Sequence, residues 1–369
     1  GEGVCLPDIP LEAGALVIYT SGTTGRPKGA LHTHGGIQAQ VRGMVTSWGW
    51  NSSDRILHAL PLHHVHGIVN ALYCAHFTGA AVEMHAKFSP QVVWERLQSG
   101  EVTVFMGVPT MYHLLLKAYD KMPAPAQAAA RAAAAGLRLA VSGSAACPVP
   151  LMARWEALSG EPMLERYGMT EIGMALSNPY RGERRPGHVG VPLPGVEVKI
   201  IPEDGAGEDG PGELLVRGSS VFREYLGRPS ATAESFTPEG FFKTGDVAQR
   251  VGGYWKILGR ASADIIKFGG YKLSALEIEN VLLENADISE CAVLGMPDEA
   301  YGEVMWAVMA MVEGAKPLDA RALGEWAGDK LAPYKVPKAV VVVRQIPRNA
   351  MGKVNKKELR RRLEAGEEL

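Results

Sequence analysis

The sequence predicts an α/β protein that carries a smaller α+β domain at its carboxyl end. Short apolar runs at 102–106 and 137–141 alternate with helical patterns, which is typical of a sheet covered by helices on both faces. Beyond about residue 188, apolar and polar residues alternate between Gly/Pro turns, which indicates half-exposed strands. We therefore expect a large domain over 1–260, with a β subdomain from about 188, and a small domain over 261–369.

The composition is that of an ordinary globular protein. Of 369 residues, 46% are hydrophobic and 21% are charged, and the net charge of −2 gives no indication of a nucleic-acid or anionic-membrane partner. Four widely spaced cysteines without a C-x-x-C pair predict reduced thiols. No apolar run is long enough to cross a bilayer.

The amino terminus suggests a fragment. The first residue is Gly1 and a phosphate-binding pattern begins already at Thr20. We expect that an upstream part is missing, together with any targeting segment. The expected location is intracellular, in the mitochondrial matrix or the cytoplasm.

Local patterns predict the first elements. Leu16–Tyr19 is an apolar run that ends in a Ser/Thr/Gly cluster, which predicts a buried strand feeding a loop. A helix is predicted over His34–Trp50, and another begins at Ser89-Pro90, with Ser as N-cap and Pro at the first position. The alanine-rich stretch 124–135 predicts a solvent-facing helix or a variable loop.

The predicted small domain begins with a helix signal. Ser274-Ala275-Leu276-Glu277 is a capping box in front of an apolar helix face. Strands are predicted at Ala292–Leu294, Val304–Val312 and Val340–Val343, alternating with helices. This pattern favours an α+β domain of roughly 100 residues, which is a common domain size.

The most specific motif is the run Thr20-Ser21-Gly22-Thr23-Thr24-Gly25-Arg26-Pro27-Lys28-Gly29. Its glycines allow the backbone to approach an anion, its hydroxyls donate hydrogen bonds and Lys28 adds a charge. Gly29 stands where a Walker P-loop needs Ser or Thr, which excludes that motif. The run resembles the signature loop of the adenylate-forming enzymes, which include acyl-CoA synthetases, luciferases and peptide-synthetase adenylation domains. The resemblance implies that this loop holds the ATP pyrophosphate.

Further motifs of that family follow in order. Tyr167-Gly168-Met169-Thr170-Glu171 resembles the segment with an adenine-stacking Tyr167, a phosphate-contacting Thr170 and a magnesium-binding Glu171. The segment Ser142–Ala146, with Ser144 and Ala145, is similar to the wall of the adenine pocket. Asp246 in Thr244-Gly245-Asp246 would accept the ribose hydroxyls. Lys353 in 347–354 resembles the lysine that bridges the acyl carboxylate and the α-phosphate.

The segment 259–272 resembles the family's hinge and the loop that follows it. The resemblance implies that Arg260 contacts the nucleotide. One extra residue between Arg260 and Asp264 leaves three alternatives for the hinge itself, namely Ser262, Ala263 and Asp264. The turn residues Gly269, Gly270, Tyr271 and Lys272 would shape the pantetheine tunnel during thioester formation.

Three segments bear on the acid that is activated. Pro61–Gly67, with His63 and His66, resembles a segment beside the acyl site, and Gly107–Thr110 resembles another loop near it. The closely spaced histidines lack a nearby carboxylate or cysteine, so we expect a pocket wall or a substrate contact and not a metal site. Ser177 and three arginines follow Glu171 at 172–187.

A dicarboxylate substrate needs a cation for its second carboxylate, and arginine suits that role through bidentate pairing. The stretch 172–187 resembles that of malonyl-CoA synthetases, which implies malonate or methylmalonate as substrate. Arg184 is the sequence candidate for the distal carboxylate.

The implied reaction converts a carboxylate, ATP and CoA, with Mg2+, to an acyl-CoA, AMP and diphosphate through an acyl-adenylate. The implied partners are ATP, CoA and a small carboxylic acid. Three alternatives stay open: a medium-chain or aryl acyl-CoA synthetase, a peptide-synthetase adenylation domain, and an inactive nucleotide-binding fragment.

Overall fold

The computed structural model describes residues 8–20, 27–202, 210–348, 354–367 and 369. Within these segments the strands form four sheets. Every helix in the described part is too short or too polar to span a membrane. Cys74, Cys147 and Cys291 form no disulfide, and Cys5 lies outside the described residues.

A seven-stranded sheet and its covering helices make up most of the large domain. Its order is β4-β3-β5-β6-β7-β8-β9, with parallel pairing from β4 through β7 and antiparallel pairing beyond. The elements of this half are β1 (Gly14–Thr20), β2 (Lys28–Thr33), α1 (His34–Trp48), β3 (Arg55–His58), a π-helix (His66–Tyr73), α2 (Cys74–Thr78), β4 (Ala81–Met84), α3 (Pro90–Gln98), β5 (Val104–Gly107), α4 (Pro109–Asp120), α5 (Ala124–Ala135), β6 (Leu139–Ser142), α6 (Val149–Ser159), β7 (Leu164–Met169), β8 (Gly173–Ser177) and β9 (Val191–Pro192). The parallel strands β3, β5, β6 and β7 end at the same edge, where open α/β sheets form ligand crevices.

Buried aromatic side chains tie the helices to this sheet. The ring of Trp155 stacks on Trp94 at 6.4 Å and meets the edge of Tyr112 at 4.9 Å. Trp94 Nε1 donates to the Leu115 carbonyl at 2.9 Å, and the Tyr112 hydroxyl donates to the Val141 carbonyl at 3.0 Å. The large rings therefore fill the core while their polar atoms remain satisfied.

Two antiparallel sheets complete the large domain. Their remaining elements are β10 (Val196–Pro202), β11 (Gly212–Gly218), β12 (Glu224–Tyr225), α7 (Pro229–Glu234), β13 (Phe242–Val251) and β14 (Tyr254–Arg260). The sheet β10-β11-β13-β14 shows the predicted half-exposed character on β10, where half-buried and exposed residues alternate. Strand β12 instead pairs with β2, which gives a separate three-stranded sheet of order β1-β2-β12.

The C-terminal part has its own sheet and core. It contains β15 (Ile265–Phe268), β16 (Tyr271–Ser274), α8 (Ala275–Leu282), β17 (Ile288–Asp298), β18 (Gly302–Met311), α9 (Ala320–Ala327), a 3-10 turn (Pro333–Lys335), β19 (Ala339–Val343) and α10 (Lys356–Glu364). The sheet order is β16-β15-β18-β17, and β19 pairs with β18 in parallel. The change of sheet falls in the turn 261–264, and the domain boundary at 260–261 stays a prediction.

The predicted α/β class is confirmed, and several predicted ends agree with the structure. Helix α1 begins at His34 as predicted but ends at Trp48, two residues before the predicted Trp50, because Gly49 has a left-handed φ of 62°. The hydroxyls of Ser89 and Ser274 cap α3 and α8 by accepting from Val92 N and Glu277 N. The alanine-rich stretch is helix α5, which buries Ala130 and Ala134.

Two predictions about strands are wrong. The run Leu16–Tyr19 is not a buried strand: only Ile18 is buried, because β1 lies at the edge of a small antiparallel sheet. Strands β17 and β18 are not separated by a helix, since they pair directly as a long hairpin. Apolar runs alone do not distinguish a hairpin from a crossover.

Two glycines with similar backbone conformations test how tightly the region around β8 and β9 is packed. Gly190 has φ 85° and a Cβ added there would lie 1.9 Å from the Ser177 carbonyl oxygen; Gly160 has φ 83° and nothing within 4 Å. We expect Gly160→Ala to lower the free energy of unfolding by about 1–2 kcal/mol through backbone strain alone. Gly190→Ala should lower the free energy of unfolding clearly more than Gly160→Ala does, because neighbouring backbone atoms must also move. Urea denaturation of both variants measures the difference, and equal losses would contradict this packing.

Candidate active site

A cavity of about 2040 Å³ lies between the carboxyl edge of the large sheet, the β13–β14 hairpin and the C-terminal part. It brings together most of the predicted nucleotide-site residues that the structure describes. These are Thr20, Lys28, Ser144, Ala145, Tyr167, Gly168, Met169, Thr170, Glu171, Asp246, Arg260, Ala263 and Asp264. The predicted loop residues Ser21, Gly22, Thr23, Thr24 and Gly25, and the predicted catalytic Lys353, lie outside the described residues.

Tyr225 links two predicted phosphate-site residues. Its buried hydroxyl donates to Glu171 Oε1 at 2.7 Å, and Lys28 Nζ lies 3.9 Å from the centroid of its ring. Burial raises the pKa of Tyr225, so the hydroxyl keeps its proton and remains a donor at neutral pH. The ring face attracts the ammonium group, and the hydroxyl orients the carboxylate. Sequence analysis missed Tyr225 because it lies in a two-residue strand with no chemical pattern around it.

His32 holds the Thr170–Glu171 turn from another side. Its Nε2 is 2.8 Å from the Thr170 carbonyl oxygen, and its Nδ1 is 3.3 Å from Gln40 Nε2. Since a carbonyl only accepts, the partners assign the proton to Nε2 and make Nδ1 the acceptor. Burial lowers the pKa of His32, which keeps the ring neutral in this role. Gln40 also donates to the Ser220 carbonyl at 3.0 Å, which extends the network.

Asp246 and Arg260 face each other across the β13–β14 pair. Arg260 Nε lies 3.0 Å from Asp246 Oδ1, and the Tyr167 hydroxyl donates to Asp246 Oδ2 at 2.5 Å. Burial raises the pKa of Tyr167, so it acts as a donor at neutral pH. Arg260 also donates to the Thr244 carbonyl at 2.6 Å. The carboxylate predicted to bind ribose is thus fixed by two predicted nucleotide contacts.

Ser144 occupies a strained position beside the acyl segment. Its φ is 68°, in the left-handed region that a non-glycine residue rarely adopts. Its Oγ shares a hydrogen bond of 3.2 Å with Nδ1 of His66, which lies at the start of the π-helix. Both strained backbones and π-helical turns are common at functional sites. The contact joins the predicted adenine wall to the predicted acyl wall.

Arg166 is a buried cation that the sequence analysis missed. It is only 4% exposed, it borders the cavity, and a Cβ added to Gly143 would lie 2.4 Å from its Cζ. Its Nε and Nη2 have no hydrogen-bond partner among the described residues. Burial lowers the pKa of Arg166 to about 9, which still leaves the guanidinium charged at neutral pH. Burying a guanidinium edge without hydrogen-bond acceptors is costly, which marks Arg166 as a candidate binding group.

Glu165, the neighbour of Arg166, supports the turn that carries Ser144. Its Oε1 accepts from the Cys147 backbone N–H at 2.8 Å. Burial raises the pKa of this carboxyl to about 7, and the charge of Arg166 opposes that rise. The sequence position alone did not distinguish Glu165 from an ordinary strand residue.

The structure does not bring Arg184 and Ser177 into the main cavity. Arg184 donates to the carbonyls of Pro162, Tyr180 and Pro179 at 2.6, 2.8 and 3.3 Å, and it borders a separate cavity of about 290 Å³. Ser177 is buried, accepts from Trp48 Nε1 at 2.9 Å and donates to the Asn178 carbonyl. Both side chains have local structural partners that the sequence did not indicate.

Of the second predicted acyl loop, Val108, Pro109 and Thr110 border the main cavity. The predicted acyl histidines and thioester residues lie outside its lining, namely His63, His66, Gly269, Gly270, Tyr271 and Lys272. His63 is exposed and its ring centroid is 4.2 Å from that of His64. Gly269 and Gly270, with φ 53° and 87°, form the β15–β16 turn, together with the exposed Tyr271 and Lys272. The Tyr271 ring stacks on Tyr334 at 5.2 Å.

Of the three hinge alternatives, Asp264 has the most contacts. Its Oδ2 accepts from the Arg260 backbone N–H at 2.9 Å, and its Oδ1 lies 2.6 Å from Lys356 Nζ. Lys356 Nζ is also 2.6 Å from Glu279 Oε1. Although burial opposes the charged form of Lys356, the two carboxylates raise its pKa, so ion pairs within the protein compensate its charge. Ser262 is exposed, and Ala263 N donates to the Arg260 carbonyl at 3.1 Å.

The raised pKa of Glu165 predicts a pH dependence of stability. The folded protein holds a proton that the unfolded chain releases between pH 4.5 and pH 7. The stability gained from this proton is therefore complete below pH 4.5 and is lost as the pH rises through 7. Glu165→Gln keeps an oxygen acceptor for Cys147 N but does not titrate. Between pH 4.5 and pH 7.5, the free energy of unfolding of Glu165→Gln should rise relative to that of the wild type by up to roughly 3 kcal/mol.

Urea unfolding at several pH values measures this difference. The exposed Glu156→Gln variant is the matched control and should follow the wild type at every pH. A Glu165→Gln variant whose stability runs parallel to the wild type across this range would contradict the protonated carboxyl.

Comparisons with known proteins give consistent matches. A family model described as AMP-binding enzyme matches residues 6–226, and one described as AMP-binding enzyme C-terminal domain matches 277–353. The Malonate–CoA ligase ACSF3, mitochondrial, of Bos taurus is 49% identical over 98% of this chain, which spans 66% of that protein's length.

Two solved structures extend the match to three dimensions. ATP-bound MatB from Rhodopseudomonas palustris has a TM-score of 0.88 at 35% identity, over 98% of this chain and 70% of that chain. A malonyl-CoA ligase ternary product complex with methylmalonyl-CoA and AMP has a TM-score of 0.65 at 42% identity, over 93% of this chain and 74% of that chain.

Proposed function

The chain belongs to the AMP-binding enzyme family, and on that premise we propose that it is a ligase that joins malonate or methylmalonate to coenzyme A. The proposed reaction consumes the acid, ATP and CoA and forms an acyl-CoA, AMP and diphosphate through an acyl-adenylate. The observation that carries the choice of acid is the buried guanidinium of Arg166.

Arg166 offers what a dicarboxylate needs. Its unpartnered Nε and Nη2 form one edge of the guanidinium plane, and such an edge donates two parallel hydrogen bonds to a carboxylate. A malonate whose first carboxylate reacts with ATP would place its second carboxylate against this edge. The acid would thereby supply the partner that the buried cation lacks. A medium-chain fatty acid would instead leave the charge buried and unpaired.

Arg166 therefore replaces Arg184 in this proposal. The guanidinium of Arg184 donates to three backbone carbonyls, so a substrate would have to displace those bonds. Its cavity is also separate from the one that contains Glu171 and Asp246. The two arginines lie in the same part of the sequence, and only their surroundings distinguish them.

Glu171 fits a magnesium ion that arrives with ATP. Mg2+ is usually held by one or two carboxylates together with substrate phosphate oxygens. The Glu171 carboxylate borders the cavity, and Tyr225 orients it through Oε1. Among the described residues no group of three or more His, Cys, Asp or Glu side chains forms a metal-ligand set, so the phosphates would complete the shell. The ion would offset negative charge on the phosphates.

The chain's own residues would carry out the first step by positioning and electrostatics. Lys28, held over Tyr225, would contact the phosphates, and Asp246 would accept the ribose hydroxyls. Lys353 keeps its predicted role at the α-phosphate and acyl carboxylate. The relative from Bos taurus is named as mitochondrial, and we extend that compartment to this chain as part of the proposal.

The test is pyrophosphate release with ATP, Mg2+ and malonate, methylmalonate, acetate or octanoate. We expect turnover with malonate or methylmalonate. Arg166→Met should lower kcat/KM for the dicarboxylate at least about 100-fold, because a buried charge pair is lost, while acetate turnover persists. Lys353→Ala should abolish release with every acid.

Arg184→Met is the matched control, since it removes an arginine of the same region. It should keep the ratio of malonate to acetate turnover, whatever its effect on stability. If the preference for malonate over acetate were lost in Arg184→Met but kept in Arg166→Met, the assignment of Arg166 would be overturned. A preference for octanoate that is unaffected by Arg166→Met would overturn the proposed substrate.

A further inference from the structure

Helix α6 begins without a cap of its own. The residue before it is Pro148, which makes no side-chain hydrogen bond to the helix, and Pro150 at its second position has no N–H. Helix starts leave amide donors without partners inside the helix, and a side-chain oxygen normally accepts from one of them. The Val149 N–H must therefore find its acceptor elsewhere.

That acceptor comes from the C-terminal part. Val149 N donates to Oδ1 of Asn280 on α8, at 3.1 Å and across 131 residues of sequence. Asparagine is among the side chains that cap helices best. The hydrogen bond that caps α6 of the large domain thus depends on the position of the small domain.

This contact acts on the wall of the nucleotide cavity. Ser144 and Ala145 border the cavity and lie only five and four residues, respectively, before Val149. Glu165 holds this segment at Cys147 from within the large domain, and Asn280 holds it at Val149 from the small domain. The segment is therefore fixed at both points only while the two domains are docked as in this structure.

Asn280 is itself placed rigidly relative to the hinge. Its neighbour Glu279 shares the buried Lys356 with Asp264, and Ala275 N donates to the Asp264 carbonyl at 2.8 Å. Helix α8 is thus bonded to the turn that joins the domains. A rotation about this turn would carry Asn280 away from Val149.

The comparison structures differ in this respect. The chain superposes well on ATP-bound MatB, with a TM-score of 0.88 at 35% identity, and less well on the product complex, at 0.65 despite 42% identity. Sequence identity runs in the opposite direction, so the structure of this chain is more similar to the ATP-bound relative than to the product complex despite the lower identity.

We propose that Asn280 is a positioning residue for the adenylation step, which caps α6 and orders the Ser144–Ala145 wall when the small domain is docked for that step. The proposal rests on the two-step reaction proposed above. It predicts that loss of the cap weakens adenylation and spares thioester formation, because only the first step uses this arrangement.

Two variants separate the cap from the bulk of the side chain. Asn280→Ala removes the acceptor and should shift the ratio of docked to undocked domains about fivefold towards undocked, the usual effect of losing a cap. Asn280→Asp keeps an acceptor oxygen and adds a charge that the helix start favours, so it should retain the docked arrangement.

Energy transfer between dyes at the exposed positions Gln91 and Glu313 reports the arrangement without any turnover. Two rates complete the test: malonate-dependent ATP–pyrophosphate exchange, and transfer of supplied malonyl-adenylate to CoA. Asn280→Ala should lower the first rate by up to about fivefold, the limit for a protein whose docked arrangement is the minor one, and should not lower the second. Asn280→Asp should match the wild type in both rates.

Equal losses in both rates with unchanged energy transfer would overturn the proposal, as would an Asn280→Asp variant as defective as Asn280→Ala. If the wild type lacks malonate-dependent exchange, the proposed function fails. The energy-transfer comparison of the two variants still decides whether Asn280 controls docking.

Discussion

Parallel pairing of β5, β6 and β7 is the constraint on which the candidate site depends. Strands that run in one direction end at one edge, and the turns that follow them must meet there. The strained Ser144 and the Thr170–Glu171 turn lie just beyond the ends of β6 and β7, and the buried Arg166 lies within β7, one residue past its last pairing with β6. The antiparallel hairpin β1–β2 and the β13–β14 hairpin then add Lys28 and Asp246 from outside the sheet. Groups far apart in sequence share one cavity for this topological reason.

The acceptors around Lys356 and Arg166 distinguish a structural cation from a candidate ligand-binding cation. Lys356 lies within 2.6 Å of two carboxylates, which compensate its burial and make it part of the framework. Arg166 is buried more deeply than the half-buried Lys356, and its Nε and Nη2 have no acceptor in the described part of the chain. Carboxylates of the protein thus compensate the charge of Lys356, whereas Arg166 can still bind the anion of a ligand.

Motifs with a strict local order could be predicted from the sequence, whereas groups that act through tertiary contacts could not. The strand–loop pattern at Thr20 and the Tyr167–Glu171 segment were identified because their chemistry is contiguous, and their described residues border one cavity. Tyr225, His32 and Asn280 were missed, since each acts on a partner that is 54, 138 or 131 residues away. Arg184 shows the converse limit: its residue type and position predicted a substrate contact, and the sequence did not indicate that nearby carbonyls accept hydrogen bonds from its guanidinium. The same limit explains Leu16–Tyr19, whose apolar character did not reveal that it lies at the edge of a small sheet.

The two prolines at the start of α6 also bear on where an anion can bind. In many α/β nucleotide-binding proteins, free amides at the start of a helix beside the sheet edge hold phosphate. Here Pro148 and Pro150 contribute no N–H, and the amide between them is already bonded to Asn280. This helix start therefore has little left with which to attract a phosphate group. In the proposed reaction this task would fall to Lys28 on the hairpin of β1 and β2, whose flexible side chain can change position during the reaction, whereas backbone dipoles at a helix start are fixed.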